Sequence, residues 1–171
     1  MPETARRNQR PAWDGGYSVH ISEVMTDNKT CPNGEGVLCD WIEIENTSSK
    51  DFSIGGYYLS DETGKGKYCF PAGTVVPARG YLVVWCSPDE EGDYAPFALR
   101  KAGGETVCLM NENRTVLDSA VTVACRSGQS LVRGSDGALI PADTPTPGYP
   151  NNEAGAKAWQ EALAQRSGGT L

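Results

Sequence analysis

The sequence predicts an all-β protein, a two-sheet β-sandwich followed by a short C-terminal α-helix. Three observations lead there. Short apolar runs rich in Val, Ile, Tyr and Trp succeed one another along most of the chain, as strands do. Turn formers stand between them: "CPNGEG", "DETGKG", "VPARG", "NENR" and "SDG". Within the runs apolar and polar residues alternate, so each strand has an apolar face that must close against a second sheet.

The elements follow in order. Residues 1–16, "MPETARRNQRPAWDGG", have no periodicity and end in Gly-Gly, which reads as a flexible leader. Its basic cluster "ARRNQR" reads as a solvated tail or juxtamembrane remnant, with a phosphate or lipid contact as the alternative; no apolar segment follows that would make it a signal peptide. Structure is expected from Tyr17. Nine runs compatible with strands come next: "YSVHISEVM", "DWIEIEN", "IGGYYLS", "KYCF", "GTVV", "GYLVVWC", "ETVCLM", "TVLDSAVTVA" and "QSLVR". None repeats at a fixed period. In "DWIEIEN" alternation sends Ile42 and Ile44 to one face and Trp41, Glu43 and Glu45 to the other, so the two glutamates are expected to face water. In "YLVVWC", Leu82, Val84 and Cys86 oppose Tyr81, Val83 and Trp85. Both sets are apolar, which predicts a central strand covered on both sides or a strand beside a surface aromatic patch. Val107 with Leu109, and Val121 with Val123, read as inward pairs.

Only the C-terminus has a helical period. After "TPTPGYP", Ala156, Trp159 and Leu163 share one helical face, with Asn152 as N-cap and Gly168 as stop. Such a helix either folds back through Trp159 or serves as a spacer, because a solitary 14-residue helix is marginal in water.

Composition narrows the functional classes. A net charge of −7 repels nucleic acid and anionic bilayers on average. No apolar run approaches the roughly 20 residues of a membrane helix, so membrane insertion is not expected. Six cysteines, at 31, 39, 69, 86, 108 and 125, include no CxxC pair, which disfavours structural zinc and thioredoxin-like chemistry. Cys31 and Cys39 flank "PNGEGVL", whose turn formers let the chain double back, and they are the candidate disulfide. Such a bridge would contribute roughly 2 to 3 kcal/mol. The other four suit either reduced packing or cross-strand pairing.

Catalytic constellations are sparse. Asp40, Glu43 and Glu45 are dense enough for acid–base work but sit on an open strand face. His20, the one histidine, shares a predicted face with Ser18 and Ser22, opposite Val19 and Ile21, and reads as an exposed strand residue with no nucleophile to activate. Asp27, Asn28, Asn33, Glu35 and Asp40 would suit a calcium loop, although their order matches no EF-hand. No cofactor, metal set or catalytic residue is assigned. Trp41, Tyr57, Trp85 and Tyr94 form the candidate glycan platform, against the alternative that Trp41 and Trp85 are covered by a loop or the helix. Sequons at Asn28, Asn46 and Asn113 matter only in a secretory eukaryotic host.

In order, "ISEVMTDN", "DWIEIENTSSKDFSIGGYYLSDETGKGKYCFPAGTVVPARGYLVVW", "GETVCLMNENRTVLDSAV", "GQSLVRGSDG" and "TPTPGYPN" resemble the lamin tail domain over about residues 18–151. The resemblance implies an immunoglobulin-like sandwich, used in bacteria as an exported or surface accessory module with no reaction assigned to it. It implies a domain over 17–150 and a helix and tail over 151–171 that links to a neighbour. The expected role is a non-catalytic interaction or structural module, with a carbohydrate-binding module as the alternative. Expected partners are neighbouring domains of a parent protein, another lamin-tail-like domain, or a cell-envelope protein or glycan. The expected setting is extracellular or at the cell surface. Filament assembly and chromatin binding do not carry over, since the chain lacks a heptad rod and is acidic.

Overall fold

The computed structural model describes residues 18–168, so the leader expected over 1–16 and its basic cluster lie outside the described residues. The strands are β1 (Val19–Met25), β2 (Asp40–Asn46), β3 (Phe52–Ser53), β4 (Tyr58–Ser60), β5 (Tyr68–Cys69), β6 (Val75–Val76), β7 (Tyr81–Cys86), β8 (Gly103–Met110), β9 (Val116–Val123), β10 (Ser130–Arg133) and β11 (Leu139–Ala142). Helix α1 (Glu153–Gly168) follows them. A five-stranded sheet, β11-β10-β1-β2-β7, faces a four-stranded sheet, β5-β4-β8-β9, with β3 and β6 paired separately. All of these ladders are antiparallel.

The interior is built by alternation. Val19, Ile21 and Val24 of β1, Ile42 and Ile44 of β2, and Val84 and Cys86 of β7 meet Leu59 of β4, Val107 and Leu109 of β8, and Ala120 of β9. Burying each large aliphatic chain stabilises the fold by about 1.5–3 kcal/mol. All nine runs read from the sequence contain a strand. The two strands they omit have physical excuses: β3 is two residues long, and β11 contains Pro141. β11 tolerates that proline because it is the edge of its sheet, where a missing N–H costs no ladder bond.

Two expectations are corrected. β7 is an edge strand, not a central one; it is covered on both sides nonetheless, by the interior on one face and by the helix-bearing segment on the other. At its C-terminal end, Ala95 shields the edge by donating to Trp85 O at 2.8 Å and accepting from Ser87 N at 2.9 Å. Val121 and Val123 point outward, 56% and 38% exposed, while Asp118, Ala120 and Thr122 take the inward positions of β9. Polar inward residues are allowed there because Asp118 is ion-paired and the Thr122 hydroxyl accepts from Glu105 N at 3.1 Å.

One irregularity decides the layout of the outer face. Between Ile21 and Glu23 the β1–β2 register slips by one residue: Ile21 faces Ile44, yet Glu23 faces Glu43. Ser22 is the extra residue of a β-bulge, and everything after it changes side. Without the slip, Glu23 would enter the apolar interior beside Ile21. The backbone groups at the bulge are satisfied by side chains from the opposite sheet and from the neighbouring strand β10. Ile21 N donates to Asp118 Oδ2 at 2.7 Å, and Arg133 Nη1 donates to Ile21 O at 3.1 Å. Arg133 also grips Asp118 through both oxygens, at 3.0 and 3.1 Å, with both side chains only 5% exposed. This fork ties β1, β9 and β10 together.

Helix α1 begins where expected. Asn152 Oδ1 accepts from Gly155 N at 2.8 Å, and Asn152 O accepts from Ala156 N at 2.9 Å. Gly155 is obligatory in a way the sequence did not reveal, because a Cβ there would lie 1.8 Å from Pro150 O. Trp159 is 5% exposed, so the helix is docked and not a free spacer. Among the described residues no helix is long and apolar enough to cross a membrane.

Candidate functional site: the covered face of the five-stranded sheet

The bulge sets three rows across the outer face of β1, β2 and β7. His20, Glu45 and Tyr81 form the first, Glu23, Glu43 and Val83 the second, and Met25, Trp41 and Trp85 the third. The sequence places Glu43 and Glu45 together in water, but Glu43 is fully buried and Glu45 is about one-third exposed. The cause is the C-terminal strap, residues 144–152, which crosses this face between β11 and α1 and was not expected to cover it.

Glu23 and Glu43 are both fully buried opposite one another. Glu23 Oε2 accepts from Thr146 N at 3.0 Å, and its Oε1 lies 2.7 Å from Thr146 Oγ1. Glu43 Oε2 accepts from Gly148 N at 2.7 Å, and its Oε1 accepts from Ser22 Oγ at 2.6 Å. Asn151 Nδ2 donates to Ser22 O at 2.9 Å, completing a network that joins the strap to β1 and β2. Burial pushes both acids above the ordinary carboxylate range, Glu43 strongly so, with the facing Glu23 charge as its second cause. Carboxyls saturated by hydrogen bonds and sealed under a strap have no room for substrate.

His20 is also buried, 2% exposed, with Nε2 3.3 Å from Glu45 Oε2. This corrects its expected exposure. Ser22, one of its two expected face-mates, turns its hydroxyl to Glu43 instead.

The aromatic row is sealed by the helix. Trp41 and Trp85 meet edge to face, 6.3 Å between centroids at 62°, and Met25, Cys31, Tyr149, Trp159 and Leu163 complete the cluster. Arg166 stacks over the Trp159 ring at 5.5 Å and donates to Pro32 O at 3.0 Å, fixing the helix to the 27–39 loop. The four candidate aromatics therefore do not make a platform. Trp41 is fully buried; Tyr94 is 7% exposed, with its hydroxyl accepting from Asn33 Nδ2 at 2.8 Å; Tyr57 packs on the main interior near Phe52.

The loop before β2 is held by asparagines. Asn28 Nδ2 donates to Cys31 O at 2.7 Å and Cys39 O at 2.8 Å, while its Oδ1 accepts from Cys31 N at 2.9 Å. Asn33 Oδ1 accepts from Glu35 N and Val37 N, both at 2.9 Å. The closure expected from a Cys31–Cys39 bridge is thus made by an amide. In the structure both are free thiols, Cys31 turned into the tryptophan cluster and Cys39 beside the Cys86 backbone. Burial pushes each thiol up to about 11. The same asparagine bonds remove Asn28 and Asn33 from any calcium set, and Asp40 is bound to Leu99 N at 2.7 Å. Among the described residues no group of three or more His, Cys, Asp or Glu is disposed for a metal.

Open surface lies elsewhere. A cleft of about 770 Å³ runs between α1 and the loops around residues 126–129 and 143–145, lined by Arg126, Gln129, Asp143, Gln160 and Leu163. Sequence reasoning missed this cleft, as it missed Glu23, Thr146 and Asn151. An "SE" pair inside an apolar run and a Pro-Thr-Pro-Gly segment were the only traces of the network.

This architecture is that of an immunoglobulin-like, strand-built module whose polar groups are spent on holding itself together. The Lamin Tail Domain family model matches residues 15–124, and the chain belongs to that family. Comparison with curated proteins gave no match. The matched stretch ends just after β9, whereas β10 and β11 complete the five-stranded sheet beyond it.

Proposed function

We propose that this chain is a non-catalytic interaction module of a larger exported or surface protein. The observation that carries the reading is the sealed face: the facing acids Glu23 and Glu43 are buried, hydrogen-bonded and covered by the chain's own strap. Family membership supports it, since the fold is that of a module and not of an enzyme class. Contacts with neighbouring domains, another lamin-tail-like domain or an envelope component would use surfaces that stay open, namely the cleft beside α1 and the outward valines of β9. No observation favours glycan binding, because Trp41 and Tyr94 are unavailable for stacking. An extracellular setting is an inference from the family's bacterial members. Five of the six thiols are at least partly withdrawn from solvent, which shields them from external oxidants.

The test is a crosslinking and pull-down experiment with the immobilised chain against the neighbouring domains of its parent protein, run beside a polysaccharide panel. Capture that is weakened by Val121→Asp or by Gln160→Glu supports the reading. Polysaccharide retention, or turnover of glycoside and ester substrates that is lost in Glu43→Gln, would reject it.

A further inference from the structure

The geometry at the strap dictates where one proton sits. The Ser22 carbonyl can only accept, so Asn151 turns Nδ2 toward it and Oδ1 toward Thr146. Oδ1 can only accept as well, so the Thr146 hydroxyl, 2.8 Å away, gives its single proton there. That same hydroxyl lies 2.7 Å from Glu23 Oε1 and has nothing left to donate. Glu23 must be the donor. An ionised Glu23 would set lone pair against lone pair across one of these two contacts in a dry site, where an unmade hydrogen bond is costly.

We propose that Glu23 is a protonated acid heading a directional chain, Glu23 to Thr146 to Asn151 to the Ser22 carbonyl, and that this proton clasps the C-terminal strap to the sheet and releases it as pH rises. The unprotonated oxygen, Oε2, takes the Thr146 N–H as a carbonyl would. Glu43 has the opposite arrangement, two donors on its two oxygens, which hold its charged form against the burial that lifts it, and a protonated Glu23 removes the facing charge that would lift it further. Charge alone does not decide this division, because burial lifts Glu43 more strongly and the Ser130 hydroxyl of β10 lowers Glu23; the donor count at Thr146 decides it. Around the acid, β1 supplies His20, whose ring faces Glu45; β2 supplies Glu43 and Glu45; β7 supplies Tyr81; the 27–39 loop supplies Cys31. Arg133 of β10 is forked onto Asp118 toward the interior. The strap contains no Lys, Arg or His, and α1 packs here through Trp159. Burial raises the proton affinity of both acids, against the lowering by the Ser130 and Thr146 bonds at Glu23 and the Ser22 and Gly148 bonds at Glu43.

The sign of the pH effect follows. Glutamate in the unfolded chain titrates at about 4.3. The native state keeps its proton above that value, so stability is greatest below it and falls as pH climbs, until the folded acid ionises. For one proton the unfolding constant rises up to about tenfold per pH unit. Opening the clasp would uncover Met25, Trp41 and Trp85.

Urea unfolding of the full chain between pH 5 and 9, with hydrogen exchange over residues 144–163 corrected for intrinsic rates, tests this. The wild type should lose strap protection with rising pH before the β-sheet amides do. Glu23→Gln places an amide donor where the acid proton sits, so it should fold, keep the strap protected at pH 9 and flatten the pH dependence. Asp40→Asn, a raised acid away from the strap, should leave strap protection unchanged. A wild-type strap whose protection is independent of pH, or a Glu23→Gln strap already open at pH 6, would overturn the proposal. Should Glu23→Gln fail to fold, carbon-13 NMR of the wild-type Glu23 carboxyl decides: a carboxylic-acid shift at pH 6 supports the clasp, and a carboxylate shift overturns it.

Discussion

At the scale of single residues, the least conspicuous position has the widest effect. Alternation reads correctly along β2, where Ile42 and Ile44 face inward and Trp41, Glu43 and Glu45 outward. It fails along β1 because Ser22 is an extra residue, and nothing in "HISEVM" marks a bulge. Burial of the outward rows was illegible for another reason: alternation says which face a residue takes, not whether something later covers that face. Asp118 and Arg133 lie 15 residues apart in sequence and pair only after two sheets have formed. Removing one partner strands the other as a buried charge, so Arg133→Ala should cost about 3–5 kcal/mol in urea unfolding. Arg126→Ala, which breaks the Arg126–Asp143 pair of side chains about 80% exposed, should leave urea unfolding almost unchanged. Asp40 gives a pH signature of its own. Burial lifts its carboxyl to about 6 despite the Leu99 N–H bond, so the folded state binds an extra proton from roughly pH 4 to 6. Stability conferred by that proton is present below pH 4 and lost by about pH 6, and Asp40→Asn should remove this part of the slope measured by thermal melting. The thiols can be counted directly: the unfolded, unreduced chain should titrate six, with Cys69, the exposed one, reacting first in the native state. Four would mean one bridge exists.

At the scale of elements, the helix was legible and its docking partly so. Its N-cap and apolar face follow from local rules, and Trp159 was an evident anchor, whereas the expected stop at Gly168 falls at the limit of the described residues. The anchor's destination was not legible, because it depends on the aromatic row that the bulge leaves outside. Gly155 shows how close the fit is. A methyl group there collides with Pro150 O, backbone that no rotamer change can relieve. Gly155→Ala, favourable in an isolated helix, should therefore undock α1 while leaving the strands folded. Near-ultraviolet circular dichroism and tryptophan emission would show it, with a red shift as Trp41 and Trp159 meet water. An unshifted spectrum would mean that the turn before the helix can move aside.

At the scale of the whole molecule, the family match and the folding unit do not coincide. The matched residues stop at 124, yet β10 pairs with β1 at the centre of the five-stranded sheet through Glu23↔Val132 and Val24↔Leu131. A chain ending at 124 would expose that ladder and lose Arg133, so it should show no cooperative unfolding transition. A chain ending at 143 retains every strand and should melt cooperatively at a lower temperature. Calorimetry of the two truncations checks both statements. Architecture was legible because each strand has its own local signal. The sealed face was not, because it needs the strap, the bulge and the sheet register at once.

The one-residue slip in β1 also affects how relatives are compared. An alignment that runs through this strand without a gap, against a cousin lacking the additional serine, would equate acids on one side of the sheet with aliphatics on the other. Such a mismatch would resemble drastic divergence where only a count has changed. Opening a gap at position 22 restores the correspondence.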